Sequence, residues 1–226
     1  MGEKDSRIFN VGALAIDNIV NTNLISKEEI FQEYNLNEDI PLAILTYHPV
    51  TLEFTISSLD QIKNVFVALD NFDIQVLITA PNIEVEREII LGYIQSFIKN
   101  KKNYVYTDSL GSEKFYKLIT HCEFAIGNSS SGLIEVPFFK IPTINIGDRQ
   151  NGRIRHESII DTDYTIKSIS NGIIKAQSKE FRESIKKMDF KFGDGNSAKK
   201  ITEVIENISI DQDFLRKELD FTNNNS

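Results

Sequence analysis

The chain has 226 residues, 41% hydrophobic and 26% charged, with a formal net charge of −8 at pH 7. That length suffices for one large domain or two small ones with a buried core, and the acidic balance argues against a nucleic-acid partner, which demands clustered Lys and Arg. A single cysteine, Cys122, excludes an internal disulfide; three scattered histidines give no metal signature and no run reaches membrane-span length, so no metal, no cofactor and no membrane is expected, with the cytoplasm the default location.

Residues 1–40 read as a connector with one short helix. The stretch 8–17 is apolar with Gly12 inside it, and looks less like an opening core strand than a segment that must pack against something. Ser26 opens the helix as its cap, with Glu29 three residues on as capping-box partner. Asn35 to Asp39 is polar and ends it.

From residue 41 a regular alternation begins. Leu42 to Thr46 is an apolar run of strand length, and Leu52 to Asp70 repeats apolar residues at helical spacing (Ile56, Leu59, Ile62, Val65, Phe66, Leu69). Residues 74–79 predict a second strand, 84–98 a second helix, 104–106 a third strand and 112–121 a third helix with Ser112 at its start. A fourth strand, 124–126, leads into the turn Gly127-Asn128-Ser129-Ser130-Ser131-Gly132 and a helical run from Leu133, and residues 142–147 predict a fifth strand. Cys122, between helix and strand, reads as a buried structural thiol. Beyond a basic loop at 150–155, helices are expected over 166–175, 180–188 and 198–205, with a further candidate at 211–219 and a disordered tail at 223–226.

Strands apolar throughout, separated by amphipathic helices, predict βαβ units: an α/β, three-layer Rossmann-like domain with a parallel sheet covered on both faces. The expected organisation is a connector over 1–40, the Rossmann-like domain over 41–205, and a C-terminal helix and tail over 206–226. In such sheets ligands sit beyond the carboxyl ends of the strands. That rule points to His48, Asn82, the loop Ser109-Leu110-Gly111, Ser129 with Ser130, and Arg149.

Each position has a chemistry and a plainer alternative. The serine turn offers backbone N–H groups and two hydroxyls to phosphate, although Ser and Asn are also ordinary helix caps. His48 can bond a phosphate oxygen or shuttle a proton; a surface loop histidine is the alternative. Glu135, six residues after Ser129, can accept two ribose hydroxyls, or be a solvated carboxylate. Arg149 can bind phosphate in bidentate fashion and stands nearer the strand end than Arg153 and Arg155, though all three also fit a plain basic loop. Asn82 and the Leu110 loop are weaker, since Asn after Pro is common in turns; a loop backbone can still read a nucleobase edge.

These residues carry a resemblance. The runs Phe9-Asn10-Val11-Gly12-Ala13-Leu14 with Asp17-Asn18-Ile19, Thr46-Tyr47-His48-Pro49-Val50-Thr51, Pro81-Asn82, Ser109-Leu110-Gly111, Ile126 to Gly132, Ile141 to Gln150 with Gly152-Arg153, and Gly193-Asp194-Gly195-Asn196 are collinear over residues 8 to 200. They resemble the carboxyl-terminal half of the hydrolysing UDP-N-acetylglucosamine 2-epimerases, the sialic-acid-pathway branch. The resemblance implies the second half of a glycosyltransferase-B-like two-domain fold, with UDP or a UDP-amino sugar as ligand. It implies that His48 and Arg149 contact the diphosphate or its surroundings, Ser129 and Ser130 the phosphates, Glu135 the ribose, Leu110 the uracil through its backbone, and that Asn82 lines the site. The family reaction eliminates UDP to a 2-acetamidoglycal and adds water, giving N-acetylmannosamine and UDP.

Two departures qualify it. The family's amino-terminal domain, with the acids assigned to proton transfer at the sugar, is missing, so catalytic residues are unknown, His48 is only a candidate assistant, and the chain alone is expected to be inactive. After Pro81-Asn82 the family usually continues with Asp and Gly, where this chain has Ile83-Glu84-Val85-Glu86. Apolar residues between Phe9 and Ile19 are expected to be exposed, disordered or used in a homo-oligomer. The alternatives are the nucleotide-sugar half of a glycosyltransferase-B-type transferase and a non-catalytic nucleotide-binding module.

Overall fold

The apolar run after residue 41 forms strand β1 (Leu42–Thr46), and its side chains alternate between two buried faces. Ala43 and Leu45 pack with α3 (Ser58–Leu69), α4 (Arg87–Ile98) and α7 (Ile166–Gln177). Leu42 and Ile44 pack with α2 (Lys27–Glu33) and α5 (Gly111–Ile119) on the other face. Period-two alternation into two apolar layers is what a strand buried on both sides requires. The structure is a computed structural model that describes residues 3–50 and 56–216. The expectations for residues 51–55 and for the tail from 217 lie outside them.

Strands β2 (Gln75–Thr79), β3 (Tyr104–Thr107), β4 (Cys122–Gly127), β5 (Thr143–Ile146) and β6 (Ile159–Thr162) complete one sheet in the order β3-β2-β1-β4-β5-β6. All pairings are parallel, with Thr46 opposite both Thr79 and Gly127. This is the doubly wound order, in which the chain leaves β1 in one direction and β4 in the other. Helices cover both faces, so the α/β, three-layer Rossmann-like expectation holds.

Several elements differ from the sequence reading. β6 was not expected: it is an edge strand of four residues, buried only at alternate positions, and Asp161 interrupts its apolar run. Residues 14–20, read as part of a connector, form helix α1 (Leu14–Val20). α4 starts at Arg87 rather than Glu84, and α5 starts at Gly111 with no side-chain cap, so Ser112 does not cap it. Ser26 does cap α2, its Oγ accepting from the Glu29 N–H at 3.2 Å. Cys122 is buried, its thiol donating to the Leu118 carbonyl (3.3 Å), and burial raises its pKa.

Among the described residues the contacts group residues 21–191 into one unit and join residues 3–20 to 192–216 in another. In the second, the Asp17 carboxylate accepts from the backbone N–H groups of Ser197 (3.0 Å) and Ala198 (2.7 Å), satisfying the first turn of α9 (Ser197–Asn207). The Ala198 N–H is the main reason its pKa is lowered. Two runs that carried the family resemblance, 9–19 and 193–196, therefore meet. Ile8, Phe9, Leu14 and Val20 in this unit are exposed, while Ile16 and Ile19 are buried. Among the described residues no helix is long and apolar enough to cross a membrane.

Gly127 ends β4 with φ +134°, and a Cβ there would lie 2.0 Å from the Thr46 carbonyl oxygen. Gly127→Ala should therefore cost about 3 kcal/mol or more, since neither strand backbone can withdraw without breaking the central ladder. Urea unfolding of the two chains measures this; a loss below about 1 kcal/mol would mean that the β1–β4 junction is more compliant than its geometry requires.

Candidate functional site

At the switch point between β1 and β4 the two connections diverge, and the carboxyl ends of both strands border an open crevice. Asn128, directly after β4, is wholly buried there. Its side-chain Nδ2 donates to the His48 carbonyl (2.8 Å) and its Oδ1 accepts from the His48 N–H (2.8 Å). Its backbone N–H donates to the Thr46 carbonyl (3.2 Å). Its own carbonyl accepts from Arg149 Nη1 (3.2 Å) and Gln150 Nε2 (2.7 Å). One residue thus ties together the ends of β1, β4 and β5.

His48 is buried beside it, and its Nδ1 accepts from the backbone N–H of Asn82 (3.1 Å). A ring that accepts at Nδ1 carries its proton on Nε2. Burial, aided by the Arg149 charge, lowers its pKa to about 4, so at neutral pH His48 is an uncharged donor through Nε2. Arg149 is partly buried, with Nη2 3.6 Å from Glu84 Oε1. Arg155 is instead tied to Asp161 (3.1 Å) and to the Gln150 carbonyl (2.9 Å), whereas the Arg149 side chain reaches the Asn128 carbonyl at the strand-end junction.

The serine turn leads into a single helical turn, α6 (Ser131–Ile134). Ser130 sits at its N-cap without making a side-chain cap, and the Ser131 hydroxyl donates to Ser129 Oγ (3.0 Å). The capping alternative for Ser130 is therefore not what the turn does. Gly132 is required by packing: a Cβ there would lie 2.8 Å from Thr143 Cγ2.

Beside this junction lies a cleft of about 490 Å³, within the range of small-molecule sites, whose lining includes Asn82, Arg87, Asp108, Leu110, Ser131 and Glu135. Glu135 is half-buried and accepts from the Tyr116 hydroxyl (3.2 Å); burial raises its pKa and that hydrogen bond offsets part of the rise. Such a carboxylate has spare acceptor capacity and gains from further hydroxyl donors. Burial, with Glu135 next to it, raises the Tyr116 hydroxyl to about 12.

The residues singled out from sequence thus fall into two groups. Asn82, Leu110 and Glu135 line the cleft; His48 and Arg149 gather on Asn128, and Ser129 and Ser130 follow it in the chain. Asn82 belongs to both groups, through the cleft wall and through its bond to His48. Sequence reasoning missed Asn128, Gln150, Tyr116 and Arg87 as participants. Asn128 and Gln150 stood inside the quoted motifs, which was the available signal. Among the described residues no cluster of three His, Cys, Asp or Glu side chains could hold a metal ion.

A family model described as UDP-N-acetylglucosamine 2-epimerase matches residues 1–206. The chain is 37% identical over 186 residues to a Campylobacter jejuni protein named GDP/UDP-N,N'-diacetylbacillosamine 2-epimerase (hydrolyzing), covering 81% of this chain and 48% of that protein. It is 36% identical over 185 residues to polysialic acid biosynthesis protein P7 of Escherichia coli, covering 80% of this chain and 46% of that protein. The chain spans about half the length of these relatives. Among solved structures, UDP-GlcNAc 2-epimerase from Neisseria meningitidis bound to UDP-GlcNAc superposes with a TM-score of 0.73 at 14% identity, over 90% of this chain and 56% of that one, a likeness of fold.

The depressed pKa of His48 sets an acid sensitivity. An unfolded histidine titrates near 6.5 and His48 near 4, so between these values the unfolded chain binds the extra proton. The contribution of the neutral ring is complete above pH 6.5 and is lost as pH falls toward 4. Unfolding titrations at about pH 7 and about pH 5 should show a smaller acid loss in His48→Gln than in the unaltered chain. Identical losses would remove His48 from the acid response.

Proposed function

Because the chain belongs to the UDP-N-acetylglucosamine 2-epimerase family, we propose that residues 21–191 hold the nucleoside-diphosphate part of a UDP-amino sugar during a hydrolysing 2-epimerisation. The observation that carries this reading is the junction at Asn128, which sets His48 and Arg149 together beside a cleft lined by Asn82, Leu110 and Glu135. Arg149 and the Nε2–H of His48 serve the diphosphate, with Ser129 and Ser130 at the adjacent turn. Glu135 accepts from the ribose hydroxyls, and the Leu110 backbone reads the base.

The reaction breaks the C1–oxygen bond to UDP as C2 loses its proton, giving a 2-acetamidoglycal. Water then adds across the double bond with protonation at C2 from the opposite face, giving the 2-epimerised free sugar. This chain's part is to stabilise charge on the departing diphosphate. Donors set in advance where charge develops are the most effective form of such help. An uncharged His48 beside a fixed guanidinium suits a donor role rather than proton removal from carbon. The names of the relatives support either an N-acetylglucosamine or an N,N'-diacetylbacillosamine sugar. The chain spans about half of each relative, and by itself it should bind the nucleotide without turning the sugar over.

Calorimetry with UDP tests the site. The chain should bind UDP, and Arg149→Ala should weaken binding tenfold or more, about 1.4 kcal/mol. Unchanged affinity in that variant would place the diphosphate elsewhere. Turnover of UDP-N-acetylglucosamine by the chain alone at an intact relative's rate would refute the division of labour.

A further inference from the structure

Arg149 already faces an anion of the chain's own. Its Nη1 donates to the carbonyl of the wholly buried Asn128 at 3.2 Å, so backbone fixes the guanidinium from one side. Its Nη2 lies 3.6 Å from Glu84 Oε1, and the two side chains are only 27% and 26% exposed. A charge-assisted hydrogen bond closes to about 2.7–2.9 Å, so this pair attracts as charges without a directional bond. Its low exposure spares it most of the screening that weakens surface pairs. Arg149 is thus held in place by Asn128, and Glu84 adds an occupant to its second nitrogen.

Glu84 sits in the loop between β2 and α4. Ile83 and Val85 on either side of it are almost wholly exposed, so neither packs the loop down. The loop reaches the strand-end junction at two points, the Asn82 N–H on His48 Nδ1 and the Glu84 carboxylate beside Arg149. The first joins uncharged groups. The second yields to any anion that binds Arg149 better.

We infer that Glu84 is an affinity-setting residue: its carboxylate stands in for a phosphate on Arg149 in the free chain, and an incoming diphosphate displaces it. The inference rests on the proposed placement of the diphosphate at Arg149 and goes beyond it by giving a role to a group that opposes the ligand. His48 is neutral and the charges of Arg149 and Glu84 cancel, so the free junction offers an approaching anion no net charge. A phosphate oxygen that reaches Nη2 at hydrogen-bond length gains more than a carboxylate at 3.6 Å loses. The displaced carboxylate stays tethered by its loop and goes on repelling the ligand.

That repulsion grades ligands by charge. A sugar-linked diphosphate is substituted at both ends and carries one charge on each phosphate. Free UDP ends in a terminal phosphate with about 1.5–2 charges at pH 7. Glu84 therefore weakens the hold on free UDP more than on its sugar-linked form, which favours departure of the nucleotide once the sugar has left.

The test is calorimetry of the full chain with UDP and with UDP-N-acetylglucosamine, at about 0.05 M and about 0.5 M salt. The unaltered protein, Glu84→Gln, Arg149→Ala and the double variant are compared, with melting temperatures recorded to show that each is folded. Glu84→Gln keeps the shape and removes the charge. It should bind UDP at least threefold more tightly at low salt, with a smaller gain for UDP-N-acetylglucosamine and a smaller gain at high salt. In the Arg149→Ala background the gain should shrink, since no pair is left to break. Unchanged or weaker UDP binding by folded Glu84→Gln would overturn the inference, the weaker case showing that the carboxylate positions Arg149. A gain of equal size with and without Arg149 would overturn it too, since Glu84 would then act by general repulsion alone. Failure of UDP to bind both the unaltered chain and Glu84→Gln would overturn the nucleotide reading itself, and this inference with it.

Discussion

The two hydrogen bonds between the Asn128 side chain and the backbone of His48 are the interaction on which the carboxyl end of the sheet depends. Regular pairing between β1 and β4 stops at Thr46 and Gly127, where the glycine turns to a positive φ. The amide of Asn128 then offers one acceptor and one donor to His48, two residues beyond the end of β1, as a strand backbone would. A side chain continues the ladder one step beyond the sheet. Because the group is fully buried, loss of either bond leaves an unsatisfied partner, at about 1–3 kcal/mol. The same residue's carbonyl collects Arg149 and Gln150, so the ends of three strands share one anchor.

That anchor makes a local cationic site inside an acidic protein. The net charge of −8 acts at long range and is screened by salt, whereas Arg149 acts at contact. Its neighbour His48 is held neutral and Glu84 stands 3.6 Å away, so the guanidinium is already balanced before any anion arrives. Under the proposed reading an incoming phosphate competes with one carboxylate; the loop carrying Glu84 also supplies the Asn82 N–H that bonds the His48 ring.

Much of this was legible in the sequence, for physical reasons that also mark its limit. Five strands announced themselves as apolar runs because a sheet covered on both faces buries most of each central strand, although β3 at the edge is fully buried only at Tyr104. β6 did not, because Asp161 and one exposed side leave it no such run. The rule that ligands gather at strand ends pointed to His48, Asn82, Ser129, Ser130 and Arg149, which do lie at the carboxyl ends of the strands, since it needs only the order of elements. Asn128, Gln150 and Tyr116 act through bonds to residues between 19 and 80 positions away, and no local spacing encodes those. Helix α1 was obscured by the glycine before it, whose φ of +91° serves the approach of Gly193.

The bonds from Asp17 to the start of α9 span 180 and 181 residues of chain. On a ribosome adding about 5–20 residues per second, the carboxylate waits roughly 10–35 seconds for the amides it will accept from. The strands of the sheet emerge during that interval and can pair as they appear. The unit joining the chain's early and late segments is thus completed last, and until then Asp17 remains in water with its charge hydrated and its partners not yet made.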